Sequence, residues 1–200
     1  MQRGEAPVRV QAEPSDALTL PEVLDWHVRT HPHRTHITLL DAAGKGAGIS
    51  YAALRNGAVE VASGLLEHGL QPGQSVAIML PTSPDYFFCF FGALLAGGVP
   101  VPIYPPARIS QIEDHLRRHA GILSNALAAV LIKVPEAKPV ARLLQAQVKT
   151  LRAVVTVAEL SIPGQAPEYP IEPAQIALLQ YPSGSPANPQ GCDLTRSNLP

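Results

Sequence analysis

The chain has 200 residues, of which 46% are hydrophobic and 16% charged, and it carries a formal net charge of −1. That is enough apolar material for one buried core, and the balance excludes the basic field that collects nucleic acid or an anionic membrane, leaving small molecules or proteins as partners. Its two cysteines, Cys89 and Cys192, give neither a disulfide framework nor a metal knuckle, which points to a reducing, cytoplasmic setting.

Residues 1–17 run into proline and charge rather than an apolar stretch, so they are expected to form a flexible lead-in and not a signal peptide. Thr19-Leu20-Pro21-Glu22 combines a capping hydroxyl, an early proline and an acid three residues on, predicting a helix to about Thr30. His36 to Asp41 reads as a strand, and Ala42 to Gly48 as a turn leading back through Ile49, which suggests a hairpin. The glycines of that turn fit neither the dinucleotide nor the Walker spacing, so a plain turn is expected. Ser50 caps the next helix, with Leu54, Ala58, Val61 and Leu65 on one face and Gly69 as its stop.

Ser75 to Leu80 is a short apolar strand, followed by Ser83-Pro84-Asp85 as the start of a helix lasting to about Ala96. That helix is apolar but shorter than the about 18–20 residues a membrane span needs, so it is read as buried. Val99 to Tyr104 is strand-like but broken by prolines, so it is expected to lie at an edge or to leave the sheet quickly. Ser110-Gln111-Ile112-Glu113 is a second capping box, opening a helix with Ile112, Leu116, Ala120 and Leu123 inward. Ala128 to Lys133 is a strand, Glu136 to Val148 a helix and Arg152 to Val157 a strand; a proline-rich connector, Ser161 to Pro173, then precedes the strand Gln175 to Tyr181.

Strands alternating with helices of this length favour parallel pairing under helical layers, so the fold class is α/β with a parallel-rich sheet and flanking helices. Val76, Ile78, Val130, Ile132, Val154 and Val155 are expected in its core, with Ile176, Leu178 and Leu179 poorly covered. Histidines 27, 31, 33 and 36 lack a Cys or acidic partner at ligand spacing, which argues against a metal site. His115 and His119 share a helix face beside Arg117 and Arg118 and read as a solvated polar face.

The informative segment is Tyr181-Pro-Ser-Gly-Ser-Pro-Ala-Asn-Pro-Gln-Gly191, placed directly after an apolar strand. Glycine lets a backbone approach closely, while hydroxyls and consecutive N–H groups donate to phosphate oxygens. On composition alone an ordinary Pro/Ser/Gly loop accounts for it equally well.

The segment resembles the phosphate loop of the adenylate-forming (AMP-forming) ligase superfamily, Tyr-Thr-Ser-Gly-Ser-Thr-Gly-x-Pro-Lys-Gly, and Leu194-Thr195 and Asn198-Leu199 resemble its continuation. Tyr51-Ala-Ala-Leu54 and the run from Gly92 to Pro102 resemble the same superfamily's N-terminal region. Ile103 to Arg108 and His115 to Leu123 resemble its fatty acyl-AMP ligases. The resemblance implies that residues 18–200 are the N-terminal part of an adenylation domain, incomplete at its C-terminal side, with Ser183, Gly184, Ser185, Gln190 and Gly191 as nucleotide-binding positions. It implies ATP and Mg²⁺ as cofactors, a fatty acid as substrate and an acyl carrier protein as acceptor, with Mg²⁺-binding acid and catalytic Lys expected in later parts of the family's chain. No residue of this chain is assigned a catalytic role.

The loop departs from the motif. Pro182 and Pro186 stand where the family has Thr, Ala187 where it has Gly and Gln190 where it has Lys. Each proline removes a hydroxyl and an N–H, and Gln190 brings no charge where a charge-assisted bond is worth about 1.5–3 kcal/mol. Two readings follow: a piece of a fatty acyl-AMP ligase, inactive alone and with weak or lost nucleotide binding, or a non-catalytic module that binds a nucleotide, an acyl chain or a partner protein.

Overall fold

Capping hydroxyls set where the first three helices begin. Thr19 accepts from the Glu22 amide at 3.4 Å and starts α1 (Leu20–Thr30). The Glu22 carboxylate accepts from the Leu18 amide at 2.7 Å, one residue earlier than a reciprocal capping box requires. Ser50 starts α2 (Tyr51–Glu67), and Ser83, with Pro84 in the first turn, starts α3 (Pro84–Leu95). A computed structural model describes residues 14–105, 112–165, 167, 174–181 and 191–196. The expected lead-in up to residue 13, and Ser110 and Gln111 of the expected second capping box, lie outside the described residues.

The centre is a parallel sheet of four strands in the order β4-β3-β5-β6, with β3 Ser75–Met79, β4 Val99–Pro102, β5 Ala128–Lys133 and β6 Ala153–Val155. Helices α3, α4 (Ile112–Asn125) and α5 (Lys138–Gln147) supply the crossovers. Val76, Ile78, Val130, Ile132 and Val155 pack on one face against α2 and α3, while Ala77, Met79 and Leu131 pack on the other with Leu123 of α4 and Leu144 of α5. Val154 is half-buried on the second face. The α/β fold and its parallel sheet between helices are therefore as expected, and the prolines of β4 sit at the sheet's edge.

Glycine permits the closest approaches. A Cβ on Gly92 of α3 would lie 2.7 Å from Val61 of α2, and one on Gly64 would overlap the Leu160 backbone. The short helix α6 (Val157–Leu160) was not foreseen, because Thr156, which forms its capping box with Glu159, lies inside what reads as the end of a strand. The helix expected from Glu136 begins as a 3-10 turn, Pro135–Ala137, before α5.

β1 (Thr35–Leu40) pairs antiparallel with β2 (Gly46–Ser50), so Gly46, Ala47 and Gly48 belong to a strand and the turn is shorter than expected. Within it Asp41 Oδ1 accepts from the Ala43 and Lys45 amides at 2.9 and 2.8 Å. Those amides face a carboxylate, as in an ordinary turn. Among the described residues no helix is long and apolar enough to cross a membrane.

Candidate functional site

β7 (Ile176–Gln180) pairs antiparallel with β8 (Cys192–Thr195), and Gln180 stands opposite Cys192. The strand ends at Gln180 and Cys192 therefore lie one strand spacing apart, about 4.8 Å. Ser183, Gly184, Ser185 and Gln190 lie outside the described residues; of the five positions read from sequence, the structure describes Gly191. β8 was not foreseen as a strand. Ile176 is 38% exposed, Leu178 and Leu179 are half-buried, and Ala177 between them is buried.

The stems of this loop meet through Tyr181. Its phenol O–H donates to Asn125 Oδ1 at 2.6 Å, tying the end of β7 to the last residue of α4. A Cβ on Gly191 would lie 3.0 Å from Tyr181 Cζ, so the residue opposite the ring is best a glycine. Burial first, and then the Asp193 carboxylate, push the Tyr181 phenol above its usual range, which keeps it a donor. Asn125 carries no signal in the sequence; Tyr181 does, as the aromatic first residue of the motif.

A cleft of about 1080 Å³ opens beside this clasp, with Tyr181, Gly191, Leu127, Thr150 and Arg152 in its wall. It also touches Ser75, Val99 and Ala129, at the beginnings of β3, β4 and β5, whereas open α/β sheets take ligands at the carboxyl ends of their strands. Volume alone does not mark it as a ligand site. A smaller cavity of about 360 Å³ at the carboxyl ends of β5 and β6 is lined by Lys133, Lys138, Arg142 and Glu159 among others. The Glu159 carboxyl is held below its usual range by the Thr156 amide and hydroxyl.

The histidine reading needs one correction. His119 is only 4% exposed and its ring stacks on His115 at 3.7 Å, so this is not a solvated face. His119 Nδ1 lies 2.7 Å from the His115 carbonyl, and the ring also bonds the Tyr104 backbone, which draws that face of α4 inward. Burial, followed by His119 and Arg118, pushes His115 down to about 4, and its Nε2 is buried without a partner.

His27 and His36 stack on Tyr51 at 4.2 and 4.5 Å, and His27 Nδ1 lies 2.7 Å from His31 Nε2. These rings join α1, β1 and α2 by stacking. Burial lowers His27, with His31, His36 and Arg34 adding to it, and lowers His36, with Arg34 adding. Arg196, just after β8, is 2% exposed with Nε and Nη1 unpartnered, and burial lowers its pKa.

The AMP-binding enzyme family matches residues 24–199. The chain is 34% identical over 176 residues to a feruloyl-CoA synthase from an Amycolatopsis species, covering 87% of this chain and 33% of that protein. It is 32% identical over 140 residues to the long-chain-fatty-acid–AMP ligase FadD32 of Mycolicibacterium smegmatis, covering 67% of this chain and 21% of the ligase. Among solved structures, one from a study of fatty acyl-adenylate ligases of E. coli and L. pneumophila superposes with a TM-score of 0.77 at 27% identity, covering 92% of this chain and 33% of that one. The chain thus spans about a third or less of the length of these relatives.

Proposed function

Because the chain belongs to the AMP-binding enzyme family, we propose that residues 18–200 form the N-terminal part of an adenylation domain whose whole activates a fatty acid with ATP. The observation that carries this reading is the β7–β8 hairpin, which brings the two ends of the Tyr181–Gly191 motif together. In the reaction a carboxylate oxygen attacks the α-phosphorus and pyrophosphate leaves, so charge builds on the phosphates. Positioning and electrostatic stabilisation by loop donors then supply the rate. Of the loop's matching positions, Ser183 and Ser185 bring hydroxyls and Gly184 and Gly191 lack a Cβ, while Gln190 brings one side-chain amide.

Mg²⁺, which the family resemblance implies, would neutralise phosphate charge. Among the described residues no group of three His, Cys, Asp or Glu could hold a metal ion. A reducing, cytoplasmic compartment suits the buried Cys89 and the exposed Cys192. The acceptor is the arm of an acyl carrier protein, on the resemblance of Ile103–Arg108 and His115–Leu123 to fatty acyl-AMP ligases; the similarity to a feruloyl-CoA synthase favours CoA as the competing acceptor.

The test replaces the corresponding third of an intact fatty acyl-AMP ligase with residues 18–200 carrying Pro186→Thr and Gln190→Lys. Fatty-acid-dependent ATP–pyrophosphate exchange is expected, and exchange driven by ferulate instead would reassign the substrate. No exchange with either acid would sink the proposal. The second reading, a binding module, accounts equally for Pro182, Pro186 and Gln190, since a decaying ligase and a repurposed module would lose the same donors and charge. It predicts that the 200-residue chain binds ATP or an acyl chain without exchange.

A further inference from the structure

We infer that the cavity at the carboxyl ends of β5 and β6 binds a phosphate dianion, free or carried as a monoester, through Lys133, Lys138 and Arg142. The site lies beyond the opposite end of β5 from the Tyr181–Asn125 bond, roughly 16 Å along the strand, and does not rest on the nucleotide reading of the motif. Lys133 is the last residue of β5. By the two-residue period of a strand it shares a face with Leu131, which packs with Val140 and Leu144 of α5, and it lines the cavity of about 360 Å³. A lysine so placed ordinarily lays its stem along the sheet and leaves its ammonium in water. Lys133, however, is only 6% exposed. Neither ion pair among the described residues, Arg55–Asp25 or Arg117–Asp114, includes it.

The surrounding charges are unbalanced in the same sense. Lys138 and Arg142 stand one turn apart on α5 and both line the cavity, whereas among the described residues Glu159 is the one acid in its wall. Glu159 Oε2 already accepts from the Thr156 amide and hydroxyl at 2.6 and 2.8 Å, so that oxygen serves the start of α6, and the carboxylate acts on Lys133 through space with no hydrogen bond between them. Three cations thus face one carboxylate engaged elsewhere. The start of α5 adds to them: no side chain caps it at Ala137, and its first residue is Lys138, a cation where the helix dipole favours an anion. The fold's own stability gains nothing from that arrangement. A dianion matches the excess charge, and its several acceptor oxygens can meet ammonium and guanidinium donors together. A single carboxylate would leave one cation uncompensated.

The experiment titrates inorganic phosphate, and in parallel phenyl phosphate, into the 200-residue chain at about pH 8 and constant ionic strength, following backbone amide resonances. Saturable shifts are expected at Lys138, Val140 and Thr156, with half-saturation at about 1–10 mM. Lys133→Met, which keeps the stem, and Arg142→Gln, which changes an exposed side chain, should each weaken phosphate about fivefold or more. Lys45→Gln, in the β1–β2 turn, should leave it unchanged. If Lys133→Met fails to fold, Arg142→Gln decides alone. Tighter binding of phenyl phosphate identifies a monoester as the ligand, and equal binding the free anion; either supports the site. Equal shifts with chloride at the same ionic strength overturn the inference, as does phosphate binding that neither variant weakens. Hexaglutamate binding more tightly than both phosphates would overturn it in favour of an acidic chain. Shifts confined to Gly191 and Cys192 would put the anion on the Tyr181–Gly191 motif and overturn it too.

Discussion

Gly64 of α2 and Leu160 of α6 are packed backbone to backbone, with no space between them for a single methyl group. In an open helix, alanine would replace that glycine with a gain of about 1 kcal/mol. Here the added carbon meets main-chain atoms that have no rotamer with which to yield. Gly64→Ala is expected to lower stability by about 1–3 kcal/mol, the usual cost of overpacking, seen as an earlier urea midpoint. A midpoint unchanged or later would show that α6 can lift away freely.

Acid should weaken the fold before it reaches the carboxylate range. His27, His36, His115 and His119 all have lowered pKa values in the folded chain. The unfolded chain therefore binds protons first. Stability is full above the unfolded histidine pKa near 6.5, and it falls with pH from there, for His115 until about 4. The melting temperature should drop between pH 7.5 and 5, and His115→Gln should flatten that slope. A slope unchanged by the substitution would remove His115 from the account.

Arg196 is 2% exposed, and two of its guanidinium nitrogens, Nε and Nη1, have no hydrogen-bond partner among the described residues. Arg196→Met keeps the volume and removes the charge, and is expected to raise stability by about 1–4 kcal/mol. Denaturant titration of the two proteins decides it; a loss of stability would mean that the guanidinium is satisfied in solution.

Thiol chemistry should separate the two cysteines. Cys192 is exposed, whereas Cys89, on α3, is buried in the core cluster shared with α2 and the sheet, and is pushed up to about 12 by burial and then Asp85. One thiol per chain should react with a disulfide reagent at pH 8 in native buffer and the second only in denaturant. Two fast thiols in native buffer would contradict the packing of α3.

The 200-residue chain is expected to show no ATP–pyrophosphate exchange with any fatty acid. Pro182, Pro186 and Gln190 remove donors and a charge from the loop, and the chain covers only a third of its relatives' length. Missing donors of this kind cost several orders of magnitude in rate. Restoring the motif with Pro182→Thr, Pro186→Thr, Ala187→Gly and Gln190→Lys should not rescue exchange in this chain alone. Robust exchange by the unaltered chain, lost on replacing Ser183 and Ser185, would identify a working enzyme.

What could be read from the sequence was what is written locally. Ser50 and Ser83 cap the helices they announce, and the stripe Leu54, Ala58, Val61 and Leu65 is buried as its spacing requires. The losses occur where a partner far along the chain decides. Cys-Asp-Leu-Thr has no alternation and becomes β8 only by pairing with β7. His119 reads as polar and is buried because the Tyr104 backbone and the sheet's second layer close over it. Asn125 looks like any helix end until Tyr181 reaches it.

The sheet order bears on how the chain is made. α2, β3, α3 and β4 are consecutive, and β3 with β4 forms half of the central sheet from an unbroken stretch closed by one helix. That stretch needs only short loop closures, so during synthesis it can assemble before β5 has been translated. β5 then arrives on the free side of β3, not beside its predecessor β4. Until it does, Val76 and Ile78 have one open edge beside them, and this interval is when a nascent chain would most need a chaperone.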